Sequence, residues 1–321
     1  MSKTPLTIES KVTLKSGTEM PIFGLGTWRS EKGRVKDAVL NCLLNGYIHI
    51  DAAHCYQNQE EVGDGIIDSK VPRDKIFVTS KLWCTHLQPD RARNLIKTIL
   101  SDLKLNYVDQ LLIHWPCPFK YVDEQTLFPA NSNGHIQLDP DVDLRETWKV
   151  MEEFVEGGLV KSIGVSNFTI QEIEYISKDA KIKPDVNQIE IHPYFTNSEL
   201  VDYCTKNGIH ITAYSPLGNF DPNSNLPSVI KDETVLSIAK KYSKTPAQVI
   251  IRWHLQKGHT VIPKTVTLTR LVENSNVFDF ELSIEEMNEI SSLGKKNFRL
   301  CNPRFHPNNG LAFPNDTSAF E

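Results

Sequence analysis

The chain of 321 residues lacks long hydrophobic runs, cysteine pairs and an excess of charge of either sign. No stretch approaches the roughly 18 apolar residues needed to span a bilayer. The first residues, MSKTPLTIESK, contain no apolar segment of the kind found in signal peptides. We therefore expect a cytoplasmic protein with no membrane partner. A net charge of −5 without a basic stripe argues against a nucleic-acid partner, so the expected ligand is a small molecule.

Cysteine is scarce and widely spaced, which argues against disulfides and structural zinc. The chain has no CxxC pair and no Cys/His zinc spacing, so we expect reduced thiols in a reducing compartment. It also has no His-x-His pair. A metal-dependent barrel hydrolase built on His49, Asp51 and His114 would therefore have too few ligands, and we expect no metal site. The six cysteines are Cys42, Cys55, Cys84, Cys117, Cys204 and Cys301.

Short apolar segments alternate with amphipathic segments along the chain, an order typical of β/α units around a parallel sheet. The predicted strands are 22–24, 47–51, 76–81, 108–114, 160–166, 186–191, 210–214 and 260–262. The predicted helices lie near 33–45, 58–69, 90–103, 144–156, 170–178, 198–207, 246–256 and 269–276. Eight such pairs predict an α/β protein of the (β/α)8 TIM-barrel class, with one domain over residues 1–321.

Four segments lie outside the repeat. A hairpin that turns at Ser16-Gly17 is expected to cover the amino end of the barrel. The loops 116–143 and 215–228 follow strands, so we expect them on the carboxyl face, and the tail after about residue 295 is the fourth segment.

Polar side chains follow most of the predicted strands directly. Because the carboxyl ends of the strands converge on one face of a TIM barrel, these side chains predict an active site on that face. They are Asp51, Lys81, His114, Ser166, Asn167, Gln188, Tyr214 and Lys264.

Eight motifs at these strand ends resemble the aldo-keto reductase family over nearly the whole chain. They are GLGTW (24–28), DAAHCYQNQEEVG (51–63), SKLW (80–83), HWP (114–116), GVSNF (164–168), NQIEIHP (187–193), YSPLG (214–218) and IPKTVTLTRLVEN (262–274). The tail sequence NFRLC (297–301) is similar to the aldose and aldehyde reductase branch. The resemblance implies an enzyme that uses NADPH/NADP+ and reduces an aldehyde, a ketone or an aldose to an alcohol.

Hydride addition to a carbonyl leaves an alkoxide, so the chemistry requires a proton donor. A tyrosine is too weak an acid alone, but a neighbouring ammonium lowers its pKa, and Tyr56 with Lys81 is the candidate pair. Asp51 would hold Lys81, and His114 would donate a hydrogen bond to the carbonyl oxygen. These four positions match the family's catalytic tetrad. Gln59 departs from the glutamate that the family commonly has after its tyrosine.

The resemblance also implies the cofactor contacts. Tyr214 would stack on the nicotinamide, and Lys264 and Arg270 would bind the 2′-phosphate. Neither residue is expected to be a mere surface charge, because both lie within the motif. The full implied set is Thr27, Trp28, Asp51, Ser166, Asn167, Gln188, Tyr214, Ser215, Leu217, Lys264, Thr265, Val266, Arg270, Glu273 and Asn274.

The substrate pocket is expected to be aromatic, and the resemblance to the aldose reductase branch implies that Cys301 lies close to the nicotinamide. Its predicted residues are Trp28, Tyr56, Trp83, His114, Trp115, Phe119, Phe128 and Cys301. His49 and His54 are interpreted as structural. The alternative to an enzyme is an NADPH-binding barrel with a structural or regulatory role and little turnover. We expect a monomer, with a dimer as the alternative.

Overall fold

The computed structural model describes residues 5–218 and 225–301. The chain begins with a hairpin of two antiparallel strands, β1 (Lys11–Thr13) and β2 (Glu19–Pro21). Gly17, with a φ of +82°, makes the turn, as the sequence predicts. Leu14 and Met20 pack against Phe77 and Val186, which lie at the starts of two barrel strands. The hairpin therefore covers the amino end of the barrel.

Eight parallel strands follow, and each pairs with the next one along the chain. They are β3 (Leu25–Gly26), β4 (His49–Asp51), β5 (Phe77–Leu82), β6 (Val108–Ile113), β7 (Val160–Ser166), β8 (Val186–Glu190), β9 (His210–Tyr214) and β10 (Thr260–Val261). Parallel bridges join Phe23 to Val261 and Gly26 to Lys264, so the first and last strands meet. This closure confirms the predicted (β/α)8 barrel.

Helices surround the sheet and bury apolar faces against it. They are α1 (Val35–Leu44), α2 (Gln59–Ser69), α3 (Pro89–Leu103), α4 (Leu144–Glu156), α5 (Ile170–Ser177), α6 (Ser198–Lys206), α7 (Glu233–Tyr242), α8 (Pro246–Gln256), α9 (Leu268–Ser275) and α10 (Ile284–Ser292). In α3, Pro89 lies in the first turn, and the buried side chains include Leu95, Ile96 and Ile99. At the start of α8, Thr245 and Gln248 form the predicted capping box.

The sequence prediction missed two of these helices, α7 and α10. Both carry start signals: Asp232 caps α7, and Ser283 with Glu286 forms a capping box at α10. The eight-pair template has no place for them, since α7 precedes α8 between the last two strands and α10 follows the last pair. Capping residues therefore indicate these two helices, whereas the pattern of eight β/α pairs does not.

Several histidines of the barrel are fully or partly buried. Burial lowers the pKa of His49 to about 4 and that of His210 to about 4, and it lowers the pKa of His259 to about 3. His49 Nε2 lies 3.1 Å from Thr79 Oγ1, which fits the structural role predicted for it. In the unfolded chain these imidazoles titrate near a pKa of about 6.5.

The buried histidines predict acid destabilisation. Below a pH of about 6.5 the unfolded chain binds protons that the folded chain does not, so the free energy of unfolding falls as the pH drops toward 4. Urea unfolding at several pH values between 7.5 and 4.5 measures the slope of the free energy of unfolding against pH. His210→Gln should make the slope shallower, whereas His135→Gln, at an exposed loop position, should leave it unchanged. Identical slopes in wild type and His210→Gln would contradict the prediction.

Candidate active site

A buried ion pair lies at the carboxyl ends of β4 and β5. Lys81 Nζ donates to Asp51 Oδ1 at 2.7 Å and to the Ala52 carbonyl at 2.9 Å, and both side chains are almost fully buried. The second carboxylate oxygen, Asp51 Oδ2, accepts from Gln188 Nε2 at 2.7 Å. Because each carboxylate oxygen has a partner, the ammonium is held in one place at the base of the site.

Tyr56 lies in the short 3-10 turn that follows β4. Lys81 Nζ reaches the Tyr56 hydroxyl at 3.4 Å, so the predicted pair is formed. The predicted lowering of the tyrosine pKa is not found: burial raises the pKa of Tyr56 well above its ordinary value, and the carboxylate of Asp51 raises it further. At neutral pH Tyr56 is therefore a protonated phenol. It is a weaker acid than a free tyrosine, but an alkoxide is a stronger base than a phenolate and can still take its proton.

His114 follows β6, and its ring meets the edges of two aromatic rings. Its centroid lies 5.6 Å from that of Tyr56 and 5.2 Å from that of Trp83. Burial, together with the charge of Lys81, lowers the pKa of His114 well below its ordinary value. The imidazole is neutral at neutral pH, so only one of its nitrogens carries a proton. Its Nδ1 lies 3.4 Å from the thiol sulfur of Cys55.

A second set of polar side chains lies toward the carboxyl ends of β7, β8 and β9. Asn167 Nδ2 donates to the His114 carbonyl at 3.0 Å, and the Tyr214 hydroxyl donates to Asn167 Oδ1 at 2.7 Å. Ser166 Oγ donates to the Gln188 carbonyl at 2.8 Å. Asn167 has a φ of +64°, a conformation that asparagine tolerates better than most residues. These contacts link the strand ends around the tetrad.

These groups line one cavity of about 280 Å³. Its polar lining includes Asp51, Tyr56, His114, Ser166, Asn167, Gln188, Tyr214, Ser215 and Lys264. Its remaining predicted lining is largely aromatic: Trp28, Trp83, Trp115 and Phe128, with Cys301 beside them. Among the described residues, the predicted pocket residue Phe119 is not part of the lining. It packs behind Trp83 at a centroid distance of 5.9 Å, because the chain folds back there and Phe119 N donates to the Cys84 carbonyl.

The loop after β6 covers one side of this cavity. Trp83 Nε1 donates to the Leu127 carbonyl of that loop at 2.7 Å, and the ring centroids of Phe128 and Trp83 lie 5.1 Å apart. The position of loop 116–143 on the site face is thus as the sequence predicts. The loop 215–228 is described only in part, and the tail beyond Cys301 lies outside the described residues.

Other predicted cofactor residues lie beside the cavity or beyond β10. The Thr27 hydroxyl donates to the Asp51 carbonyl at 2.9 Å, and Leu217 packs against the core. Lys264 and Arg270 are exposed, the first just after β10 and the second on α9. Glu273 accepts from the Thr245 hydroxyl at 2.9 Å, so its carboxylate also fixes the start of α8. Thr265, Val266 and Asn274 complete this segment, with Thr265 and Asn274 buried.

The structure adds residues that the sequence prediction missed. Arg29, Cys55, Pro216 and Ile262 also line the cavity. Glu190, two residues after Gln188, accepts from the backbone N–H groups of Leu300 and Cys301 at 2.6 Å each and thereby fixes the end of the described chain against β8. The sequence feature that could have identified Cys55 is its position next to Tyr56 in the motif DAAHCYQNQEEVG (51–63). Gln59, the departure from the family pattern, accepts from Ser80 Oγ at 2.6 Å.

Residues 5–218 and 225–301 show neither a metal-binding cluster nor a membrane-spanning helix. In that part of the chain, no group of three or more His, Cys, Asp or Glu side chains could hold a metal ion. Likewise, none of the helices described there is long and apolar enough to cross a membrane. All six cysteines, which fall within the described ranges, are unpaired.

Comparison with known proteins gives consistent matches. Residues 22–295 match the model of the Aldo/keto reductase family. The chain is 48% identical over 292 residues to aldo-keto reductase family 1 member A1-A of Danio rerio, covering 88% of this chain and 89% of the relative. It is 41% identical over 302 residues to aldo-keto reductase family 1 member A1 of Homo sapiens, covering 92% of both. The aldose reductase structure from Schistosoma japonicum superposes with a TM-score of 0.89 at 41% identity, covering 95% of this chain and 98% of that one.

Proposed function

The chain belongs to the aldo-keto reductase family, and from that premise we propose that it is an oxidoreductase that uses NADPH to reduce small aldehydes and ketones to alcohols. One observation carries the proposal: Asp51, Tyr56 and the neutral His114 imidazole line one cavity, and Lys81 contacts both Asp51 and the Tyr56 hydroxyl. A proton donor, a fixed cation and a hydrogen-bond donor are the groups that carbonyl reduction requires.

In this proposal each residue of the tetrad has one role. Tyr56, a protonated phenol, gives its proton to the oxygen of the former carbonyl. Lys81, 3.4 Å from the phenol oxygen, stabilises the negative charge left on Tyr56. Asp51 keeps Lys81 in position through its 2.7 Å contact. His114 donates a hydrogen bond to the carbonyl oxygen and orients the substrate.

The cavity fits a nicotinamide. The Tyr214 ring borders it, and Ser166, Asn167 and Gln188 present the hydroxyl and amide groups that a carboxamide can bond. Bound NADPH would supply the hydride. Lys264 and Arg270, both exposed at the β10–α9 side, are proposed to bind the 2′-phosphate, and Thr27, Trp28, Ser215, Leu217, Thr265, Val266, Glu273 and Asn274 the rest of the cofactor.

The direct test is NADPH oxidation, followed by its absorbance, with a panel of aldehydes, ketones and sugars. We expect turnover with aldehydes. NADPH binding, measured by fluorescence quenching, without turnover of any compound in the panel would contradict an enzymatic role and favour a structural or regulatory one.

The lining predicts which carbonyl compounds react best. Aromatic aldehydes can bury their rings against Trp28, Trp115 and Phe128, and full burial of an apolar group of that size contributes about 1.5–3 kcal/mol. We therefore expect kcat/KM for a benzaldehyde to exceed that for xylose or glucose at least about tenfold. Steady-state rates under matched conditions measure this ratio, and equal or higher values for the sugars would refute it.

Two apolar side chains on the loop after β6 sharpen this test. Phe128 is 46% exposed and lines the cavity, whereas Val122 is 54% exposed and is not part of the described lining. Phe128→Ala should lower the ratio of kcat/KM for a benzaldehyde to that for xylose or glucose. Val122→Ala should leave this ratio unchanged.

We also propose that residues 1–321 form one domain that acts as a monomer in the cytoplasm. The unpaired state of all six cysteines fits a reducing compartment, and the described barrel carries every residue of the tetrad on one chain.

A further inference from the structure

Cys55 adjoins two members of the tetrad: it precedes Tyr56 in the chain, and its sulfur contacts His114. The proposed reaction gives it no role. It belongs to the 3-10 turn His54–Tyr56 and lines the cavity. Its sulfur is 3.4 Å from His114 Nδ1, a normal separation for a thiol hydrogen bond to nitrogen. Burial raises the pKa of the Cys55 thiol, so the sulfur keeps its proton at neutral pH.

The proton on this thiol matters because a neutral imidazole has two tautomers. One has a proton on Nε2 and a lone pair on Nδ1, and the other has the reverse arrangement. A thiol is a weak donor and sulfur a weak acceptor, while an imidazole nitrogen with a lone pair is a good acceptor. The contact therefore favours S–H donating to Nδ1, which leaves the proton of the ring on Nε2.

We propose that Cys55 is a positioning residue that holds His114 in the tautomer protonated on Nε2. A carbonyl oxygen can only accept hydrogen bonds, so Nε2–H can bind it, whereas the other tautomer would place a lone pair against the substrate oxygen. The inference rests on the proposed role of His114 in carbonyl reduction. It adds that the thiol beside Tyr56 selects the reactive form of that histidine.

Nuclear magnetic resonance tests the tautomer without using activity. The full chain is labelled with ¹⁵N-histidine and saturated with NADP+, and His114→Gln assigns the signals of His114. The ring nitrogen shifts show which nitrogen carries the proton. We expect Nε2–H in wild type, a shift toward the Nδ1–H form in Cys55→Ala, and recovery of Nε2–H in Cys55→Ser, whose hydroxyl is a stronger donor.

Kinetics then test the consequence. Cys55→Ala should lower kcat for an aromatic aldehyde by about two- to tenfold, the range expected from one neutral hydrogen bond. Cys55→Ser should retain kcat, and the Kd for NADPH should stay constant in both. Cys84→Ala is the matched control, since Cys84 is a buried thiol of the same apolar cluster and does not belong to the described cavity lining.

The outcomes separate the inference from the proposed function. An unchanged His114 tautomer in Cys55→Ala overturns the inference, and so does a serine variant that behaves like alanine while remaining folded by thermal melting. Full activity of His114→Gln would instead overturn the role of His114 in the proposed reaction. A tautomer change without any change in kcat would overturn the claim that the thiol selects the reactive form of His114.

Discussion

Tyr56→Phe should lose about 10²–10⁴-fold in turnover of an aromatic aldehyde while NADPH still binds, because general acid catalysis contributes a factor of that size. The substitution removes only the hydroxyl that lies 3.4 Å from Lys81 Nζ and keeps the ring that packs against His114. Single-turnover rates give the loss in the chemical step, and fluorescence titration gives the Kd of NADPH. Retention of more than about a tenth of wild-type turnover would show that Tyr56 is not the acid.

A tyrosine outside the site provides the control. The Tyr242 hydroxyl donates to Glu286 on the outer helices α7 and α10, so Tyr242→Phe removes an equivalent group and should leave turnover unchanged. Lys81→Met should reduce turnover to a similar degree as Tyr56→Phe. It also leaves Asp51 buried without its cation, so this variant is expected to be less stable as well.

The second large effect concerns the choice of cofactor. Lys264 and Arg270 are exposed cations near β10, where the 2′-phosphate is proposed to bind. Charge-assisted hydrogen bonds to a phosphate contribute about 1.5–3 kcal/mol each. After a discount for solvent exposure, we expect NADPH to bind at least about tenfold more tightly than NADH at low ionic strength. Added salt should narrow the difference because part of it is screened charge.

Arg270→Met should weaken NADPH binding strongly and NADH binding little, since only NADPH carries the 2′-phosphate. Lys97→Met is the control, because Lys97 is an exposed cation on the outer helix α3. Equal Kd values for NADPH and NADH in the wild type would refute the assignment. They would indicate that the segment after β10 recognises an adenosine without a phosphate.

Polar residues at strand ends made the architecture predictable. Asp51 and Tyr214 end β4 and β9, while Lys81 lies within the carboxyl-terminal half of β5 and Gln188 at the middle of β8. In a closed parallel barrel the carboxyl ends of the strands face the same end. That rule gave the fold, which the structure confirms, and placed the tetrad around one cavity. It required no knowledge of contacts between distant segments.

Properties that depend on packing were not predictable in this way. The pKa of Tyr56 was expected to fall beside Lys81, but burial raises that pKa, and the depth of burial of a side chain cannot be read from a local motif. Phe119 was placed in the pocket by its position after a strand, yet the loop turns back and buries it behind Trp83. The Cys55–His114 contact joins residues 59 positions apart and follows from the barrel geometry alone.

The closure of the barrel has a consequence for synthesis on the ribosome. The barrel closes where the segments around its first strand, β3, and its last strand, β10, meet through the bridges Phe23–Val261 and Gly26–Lys264. A nascent chain that has emerged only as far as β9 already contains the tetrad, but its sheet is still open along one edge, and Lys264 has not reached the cavity. We therefore expect stalled chains that end before residue 260 to bind no NADPH, and cofactor capture to begin only when the final strand has left the exit tunnel.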